Sequence, residues 1–194
     1  MSIVLASSSP IRRSMLEAAG VPLLIDPAQV DEDSIKQDHD GDDRALAAAL
    51  AEAKALETAS RLSENWVIGG DSLVSVEGRR FDKPRDRADA EAHLRAFSGR
   101  EMILTSAVAL ARDGAVEWSC ADQARLQVRH YSDSFIHNYL DAEWPAISYC
   151  VGVFRMEGRG IQLFERIEGS HFTILGLPLM PLIAALRERD LVAS

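Results

Sequence analysis

The pair Asp113-Gly114, set between two long apolar segments, constrains the fold of this chain more than any other feature. Asp-Gly suits the two positive-φ positions of a tight hairpin turn. The segments on either side, 102–111 and 118–128, are therefore expected to pair as antiparallel strands. Leu73-Val74-Ser75-Val76 followed by Glu77-Gly78 predicts the start of a second hairpin. A third is expected around Gly158-Arg159-Gly160, joining strands at 149–157 and 161–167. Elsewhere strands and helices alternate. A chain that mixes such alternation with hairpins is expected to be α/β with a mixed, partly antiparallel sheet.

The remaining elements follow from periodicity and punctuation. Residues 2–6 read as a buried strand and 10–19 as a helix ended by Gly20. A short strand is expected at 21–25. The acidic stretch 31–43 reads as a loop or short helix at the rim of a site. Apolar residues at Leu46, Leu50, Ala53, Leu56, Ala59 and Leu62 have helical spacing. Trp66-Val67-Ile68 reads as a strand whose C-terminal end is Gly69-Gly70-Asp71. Further helices are expected at 86–97, 132–140 and 181–189. No repeat or long linker divides the 194 residues, so residues 1–194 are expected to form a single domain of two lobes, with a cleft between them around a long mixed sheet.

The formal net charge of −9 argues against a long nucleic acid as partner, because such partners require a basic surface. It permits a small polyphosphate held in a local basic pocket. No apolar run reaches the ~18 residues of a membrane span. No secretory signal is visible. The two cysteines lack CxxC spacing, and a reduced, cytoplasmic setting is expected.

Where would a polyphosphate sit? Ser7-Ser8-Ser9-Pro10-Ile11-Arg12-Arg13 leads from a strand into a helix. Ser9 can cap that helix and Pro10 suits its first position. The free N–H groups of a helix start attract anions, and arginine forks match phosphate oxygens. An ordinary capped helix with two solvated arginines gives the same pattern. Of 21 cationic residues only three are lysines: Lys36, Lys54 and Lys83. Lysine in so arginine-rich a chain can mark places that need a compact ammonium, although chance placement gives the same count. Asp71 at a strand end can hold a divalent cation or take a proton from water; an Asp in a tight turn reads alike. Asp31-Glu32 is a carboxylate pair in the acidic stretch. The five histidines have no metal-ligand spacing, and neither GxxxxGK[ST] nor GxGxxG is present.

Taken in order, these pieces resemble the Maf family of nucleotide pyrophosphatases over residues 3–187. The turn at 7–13 is similar to the family's SxSPRR, Val30-Asp31-Glu32 to its DE segment, and Leu50-Ala51-Glu52-Ala53-Lys54-Ala55 to its LAxxKA helix. Ile68-Gly69-Gly70-Asp71-Ser72-Leu73-Val74 resembles IGADTVV, Lys83-Pro84 the KP turn, and Phe97-Ser98-Gly99 the LSG segment. Gly169 with Ile174-Leu175-Gly176-Leu177-Pro178-Leu179 resembles the closing G…VxGLPL.

The resemblance implies hydrolysis of a nucleoside triphosphate between the α and β phosphates, with a divalent cation (Mg2+ or Mn2+) and a homodimer. It also implies site residues. Asp71 matches the proton acceptor. Ser7, Ser9, Arg12, Arg13, Lys54 and Lys83 match phosphate-facing positions. Glu32 and Asp71 are the expected metal carboxylates. Base specificity falls at Ile11, Ser72 and Glu157. Cys150 and Glu157, in Cys150-Val151-Gly152-Val153-Phe154-Arg155-Met156-Glu157-Gly158, resemble the 7-methyl-GTP branch (CAGSFKxEG) more than the dTTP/UTP branch (KAGxYxIQG). Ser72 is closer to the threonine of the second branch, and Ile11 matches neither. The expected substrate is a modified nucleotide such as 7-methyl-GTP. The alternatives are dTTP, UTP or another nucleotide, and a non-enzymatic nucleotide sensor acting in septum formation.

Overall fold

The computed structural model describes residues 2–193. In chain order the elements are β1 (Ile3–Leu5), α1 (Pro10–Ala18), β2 (Leu23–Ile25), α2 (Glu32–Asp38), α3 (Asp43–Arg61), β3 (Trp66–Val76), β4 (Arg79–Phe81), α4 (Arg87–Phe97), β5 (Glu101–Arg112), β6 (Ala115–Val128), α5 (Asp133–Glu143), a 3-10 turn (Arg159–Leu163), β7 (Phe164–Glu168), α6 (His171–Ile174) and α7 (Leu179–Arg187). The seven strands form one sheet in the order β2-β1-β3-β5-β6-β7, with β4 paired to β3. The pairs β1–β2 and β1–β3 are parallel, whereas β3–β4 and β6–β7 are antiparallel. The expected mixed α/β sheet is what the chain forms.

Two compact units share this chain. The first comprises the residues up to Ser72, Thr105–Gln123 and the residues from Ser170 onward. Its core joins Ile3 and Leu5 of β1, Leu16 of α1, Ile68 of β3, Leu110 of β5, and Leu182 and Leu186 of α7. Helix α3 turns Ala47, Ala51, Ala55 and Ala59 inward, one small residue per turn. That stripe lets β3 approach very closely. A Cβ on Gly69 would stand 2.1 Å from the Ala51 carbonyl oxygen and 2.7 Å from the Ala55 nitrogen. This corrects the expectation that a strand ends at Gly69-Gly70-Asp71. Both glycines lie inside β3, an unbroken strand of 11 residues; Gly69 receives the backbone of α3, and a Cβ on Gly70 would meet Arg12 Nε and Leu177 at 3.4 Å.

The second unit holds Leu73–Leu104 and Ala124–Gly169. Here β3 turns into β4 through Glu77 (φ 52°) and Gly78 (φ 78°), pairing Val74 with Phe81. Asp86 caps α4 and Ser132 caps α5 through the Asp89 and Phe135 N–H groups. The expected hairpin around residues 158–160 does not form. Residues 149–157 are not a strand, and β7 pairs with β6 instead, Leu126 opposite Ile167. Consecutive tight turns explain why: the Val153 N–H reaches Cys150 O at 3.0 Å and the Gly158 N–H reaches Arg155 O at 3.1 Å. Val153 adopts φ 56°, and its carbonyl accepts from the Tyr139 hydroxyl at 3.0 Å. Among the described residues no helix is long and apolar enough to cross a membrane.

Candidate active site

The site grows from the start of α1. Ser9 caps the helix, its hydroxyl accepting from the Arg12 N–H at 3.4 Å, with Pro10 in the first turn. The Ser7 hydroxyl accepts from the Ser9 N–H at 3.2 Å and from Arg12 Nη1 at 3.3 Å. Arg12 thus folds back along its own turn. Its Nε donates to Gly176 O at 2.8 Å and its Nη2 to Ser72 Oγ at 2.9 Å. Burial pulls the Arg12 pKa below its ordinary value, against the opposing attraction of Asp71 and Glu32. Arg13 is not brought to this cluster. One residue on, a helix turns about 100°, and Arg13 is exposed, paired with Glu17 at 2.7 Å. Ile11 is half-buried on the same turn.

A second charge arrangement is centred on Lys54. Its Nζ stands 2.5 Å from Asp71 Oδ1 and 2.8 Å from Glu32 Oε1. Three elements supply these side chains: α3 the ammonium, β3 the buried Asp71, and the first turn of α2 the carboxylate of Glu32. Asp31 caps that first turn, accepting from the Ser34 N–H at 3.1 Å. Lys54 precedes Ala55, so the Gly69 contact that sets α3 against β3 also sets the Lys54–Asp71 distance.

In the second unit, Lys83 follows β4 and is exposed, as is Glu157. Both contribute to the field at Cys150. That thiol is pushed up to about 11, by burial first and by the Glu157 charge second, with Arg155 and Lys83 opposing the rise. Arg155 donates to a single oxygen of the buried Glu143, from Nη2 at 2.8 Å and Nε at 3.1 Å. The sequence reading missed Glu143, Arg155, Ser106 and Thr173. A signal was present for Ser106: with Thr105 it interrupts the apolar run from Met102 to Ala111.

Among the described residues no group of three His, Cys, Asp or Glu side chains could hold a metal ion. Asp71 and Glu32 nevertheless converge on one point, the Lys54 ammonium, and offer only hard oxygen donors. Such a pair fits a cation of the magnesium type, which keeps several waters and takes one or two carboxylates beside substrate phosphates.

The sequence pattern of the family described as Maf-like protein matches residues 2–189. The chain belongs to the Maf-like family. A 7-methyl-GTP pyrophosphatase from Rhizobium etli is 43% identical over 189 residues, covering 96% of this chain and 95% of that one. A nucleoside triphosphate pyrophosphatase from Nitrobacter winogradskyi is 44% identical, covering 98% of this chain and 95% of that one. Among solved structures, a HAM1 protein from Coxiella burnetii shares the fold of this Maf-like chain, with a TM-score of 0.52 at 16% identity, covering 97% and 99% of the two chains.

Proposed function

We propose that this Maf-like chain hydrolyses a nucleoside triphosphate to the monophosphate and pyrophosphate. The observation that carries the reading is the Lys54 ammonium held between Asp71 and Glu32, with the Arg12 guanidinium in the field of the same two carboxylates. Family membership and the names of the relatives support it.

In the proposed reaction a water oxygen bonds to the α-phosphorus. The bond from that phosphorus to the bridging oxygen breaks, and pyrophosphate leaves with the bond's electron pair. Asp71 takes the water's proton. Arg12 and Lys54 meet the charge that gathers on the phosphate oxygens. Ser7, Ser9 and Lys83 are proposed as further phosphate-facing positions; Arg13, turned to Glu17, is left out of the set. A divalent cation on Asp71 and Glu32 would neutralise phosphate oxygens when bound.

For the base we propose a modified purine, 7-methyl-GTP first. Glu157 and Cys150 support this, together with the printed name of the Rhizobium etli relative. An ionised carboxylate only accepts, and guanine offers N1–H and an amine where uracil offers one N3–H between carbonyls. Homodimer formation is proposed on the resemblance alone, and sedimentation decides it. The free thiols of Cys120 and Cys150 suit a reducing compartment, so the proposed location is the cytoplasm.

The deciding experiment incubates the protein with Mg2+ or Mn2+ and a panel of 7-methyl-GTP, GTP, dTTP and UTP, reading pyrophosphate. Release is expected with 7-methyl-GTP above the others. Preference for UTP or dTTP would move the substrate to the other branch. Binding without release would favour a nucleotide sensor.

A further inference from the structure

A chain of hydroxyl groups runs behind Arg12. Arg12 Nη2 donates to Ser72 Oγ at 2.9 Å, Ser72 Oγ lies 2.9 Å from Ser106 Oγ, and Ser106 Oγ donates to Thr173 O at 2.8 Å. The two ends fix its direction. A guanidinium only donates and a carbonyl only accepts. The Ser106 proton is therefore committed to Thr173 O, and the Ser72 proton to Ser106. Thr173 is itself held, its own hydroxyl donating to Asp122 at 2.6 Å. Ser106 and Thr173 are fully buried, so water does not substitute for either partner.

The consequence falls on Arg12. Of its five N–H groups, Nε is spent on Gly176 O, one on Nη1 goes to Ser7, and one on Nη2 goes to Ser72. One N–H on each terminal nitrogen remains for an anion. Gly176, at φ 100°, gives the space: a Cβ there would stand 3.2 Å from Ser72 Oγ. Among the described residues, the other acceptor for the Ser72 proton is Gly176 O, at 3.4 Å, the carbonyl that Arg12 Nε uses. Removing the Ser106 oxygen would turn Ser72 onto that carbonyl, in competition with Arg12.

We propose that Ser106 is a positioning residue, acting through Ser72 to hold Arg12 as a two-pronged polyphosphate receptor. Ser72 then serves the phosphates and does not read the base. The inference rests on the nucleotide reading above, and one measurement separates the two. Tripolyphosphate binding, followed by calorimetry, needs no hydrolysis and no base.

Ser106→Ala is expected to weaken tripolyphosphate binding about 10-fold, the loss of a well-aimed charged hydrogen bond. KM should rise by the same factor for every nucleotide hydrolysed, with the preference among bases unchanged. Ser72→Ala should do the same, and Ser72→Thr, which keeps the oxygen, should restore binding. Normal tripolyphosphate binding by Ser106→Ala with only a lower Tm would reduce Ser106 to packing. A changed base preference in Ser72→Ala would make Ser72 a base reader and overturn the proposal. So would a native protein that binds no tripolyphosphate. If tripolyphosphate binds as expected but no nucleotide is hydrolysed, the receptor stands and the enzymatic reading falls.

Discussion

Asp71 and Lys54 meet at 2.5 Å, yet the two are expected to respond differently to substitution. Asp71→Asn keeps the shape and a partner for the ammonium but loses the proton acceptor. Turnover should fall at least ~100-fold while the melting temperature stays within a few degrees. Near-native turnover would remove Asp71 from the role. Glu157 tests the base. Exposed as it is, it should contribute at the low end for a charged hydrogen bond, so Glu157→Gln should narrow the ratio of kcat/KM for 7-methyl-GTP over UTP by about 10-fold. An unchanged ratio would place base recognition elsewhere. Of the candidate site, Arg12, Glu32, Lys54 and Asp71 were singled out in the sequence because phosphate chemistry restricts residue type, whereas Glu143 and Arg155 were not. Arg13 was not separable from Arg12, since only the helix phase sends one to Glu17 and the other to Gly176. Ser106 was not assigned a role because a lone serine in a strand has no partner until the chain is folded.

Elements announced themselves where a local interaction fixes them. The Ser9 cap and the turns at Glu77-Gly78 and Asp113-Gly114 depend on neighbours a few residues away, and all form as read. The failures depend on distant partners. Gly69-Gly70 reads as a strand end in isolation; the α3 backbone packed on Gly69, and Arg12 and Leu177 against Gly70, show why it is strand interior. Residues 149–157 look like a strand, but the Tyr139 hydroxyl and the Arg155–Glu143 pair fold them into turns. The contact of α3 with β3 carries its own prediction. Gly69→Val would force its side chain into the Ala51 carbonyl and cost about 1–3 kcal/mol by overpacking. Because Lys54 lies next to Ala55, activity should fall further than the loss of folded protein explains. Urea unfolding beside turnover per folded molecule measures both. Full activity at native stability would mean that α3 does not set the Lys54–Asp71 distance.

At the scale of the whole molecule, the acid stability of the fold separates into two limbs. His93 packs edge-on to Phe81 with ring centroids 5.1 Å apart, and its Nδ1 is buried with no hydrogen-bond partner among the described residues. Burial pulls its pKa below the ordinary 6.5; Asp89, 4.0 Å away, and Asp82 oppose the shift, while Arg79 and Arg85 reinforce it. The unfolded chain therefore takes up a proton below about pH 6.5 that the folded ring resists. Stability from this group is complete above 6.5 and declines as the pH falls below it. The carboxylates act lower. Arg85 holds Asp89 at about 2, and arginine partners also lower Glu57, Glu91 and Asp133. Their contribution is present above the unfolded values of 3.8 and 4.5 and is lost only as the pH drops below those. The Tm should therefore begin to fall between pH 6.5 and 5, above the unfolded values of these four carboxylates. His93→Phe, which keeps an aromatic ring beside Phe81 and Phe97, should flatten that limb and leave the steeper loss below pH 4.5 unchanged. Thermal melts of both proteins from pH 8 to 3.5 supply the comparison, and an equal slope between pH 6.5 and 5 in the two would assign the upper limb to another group.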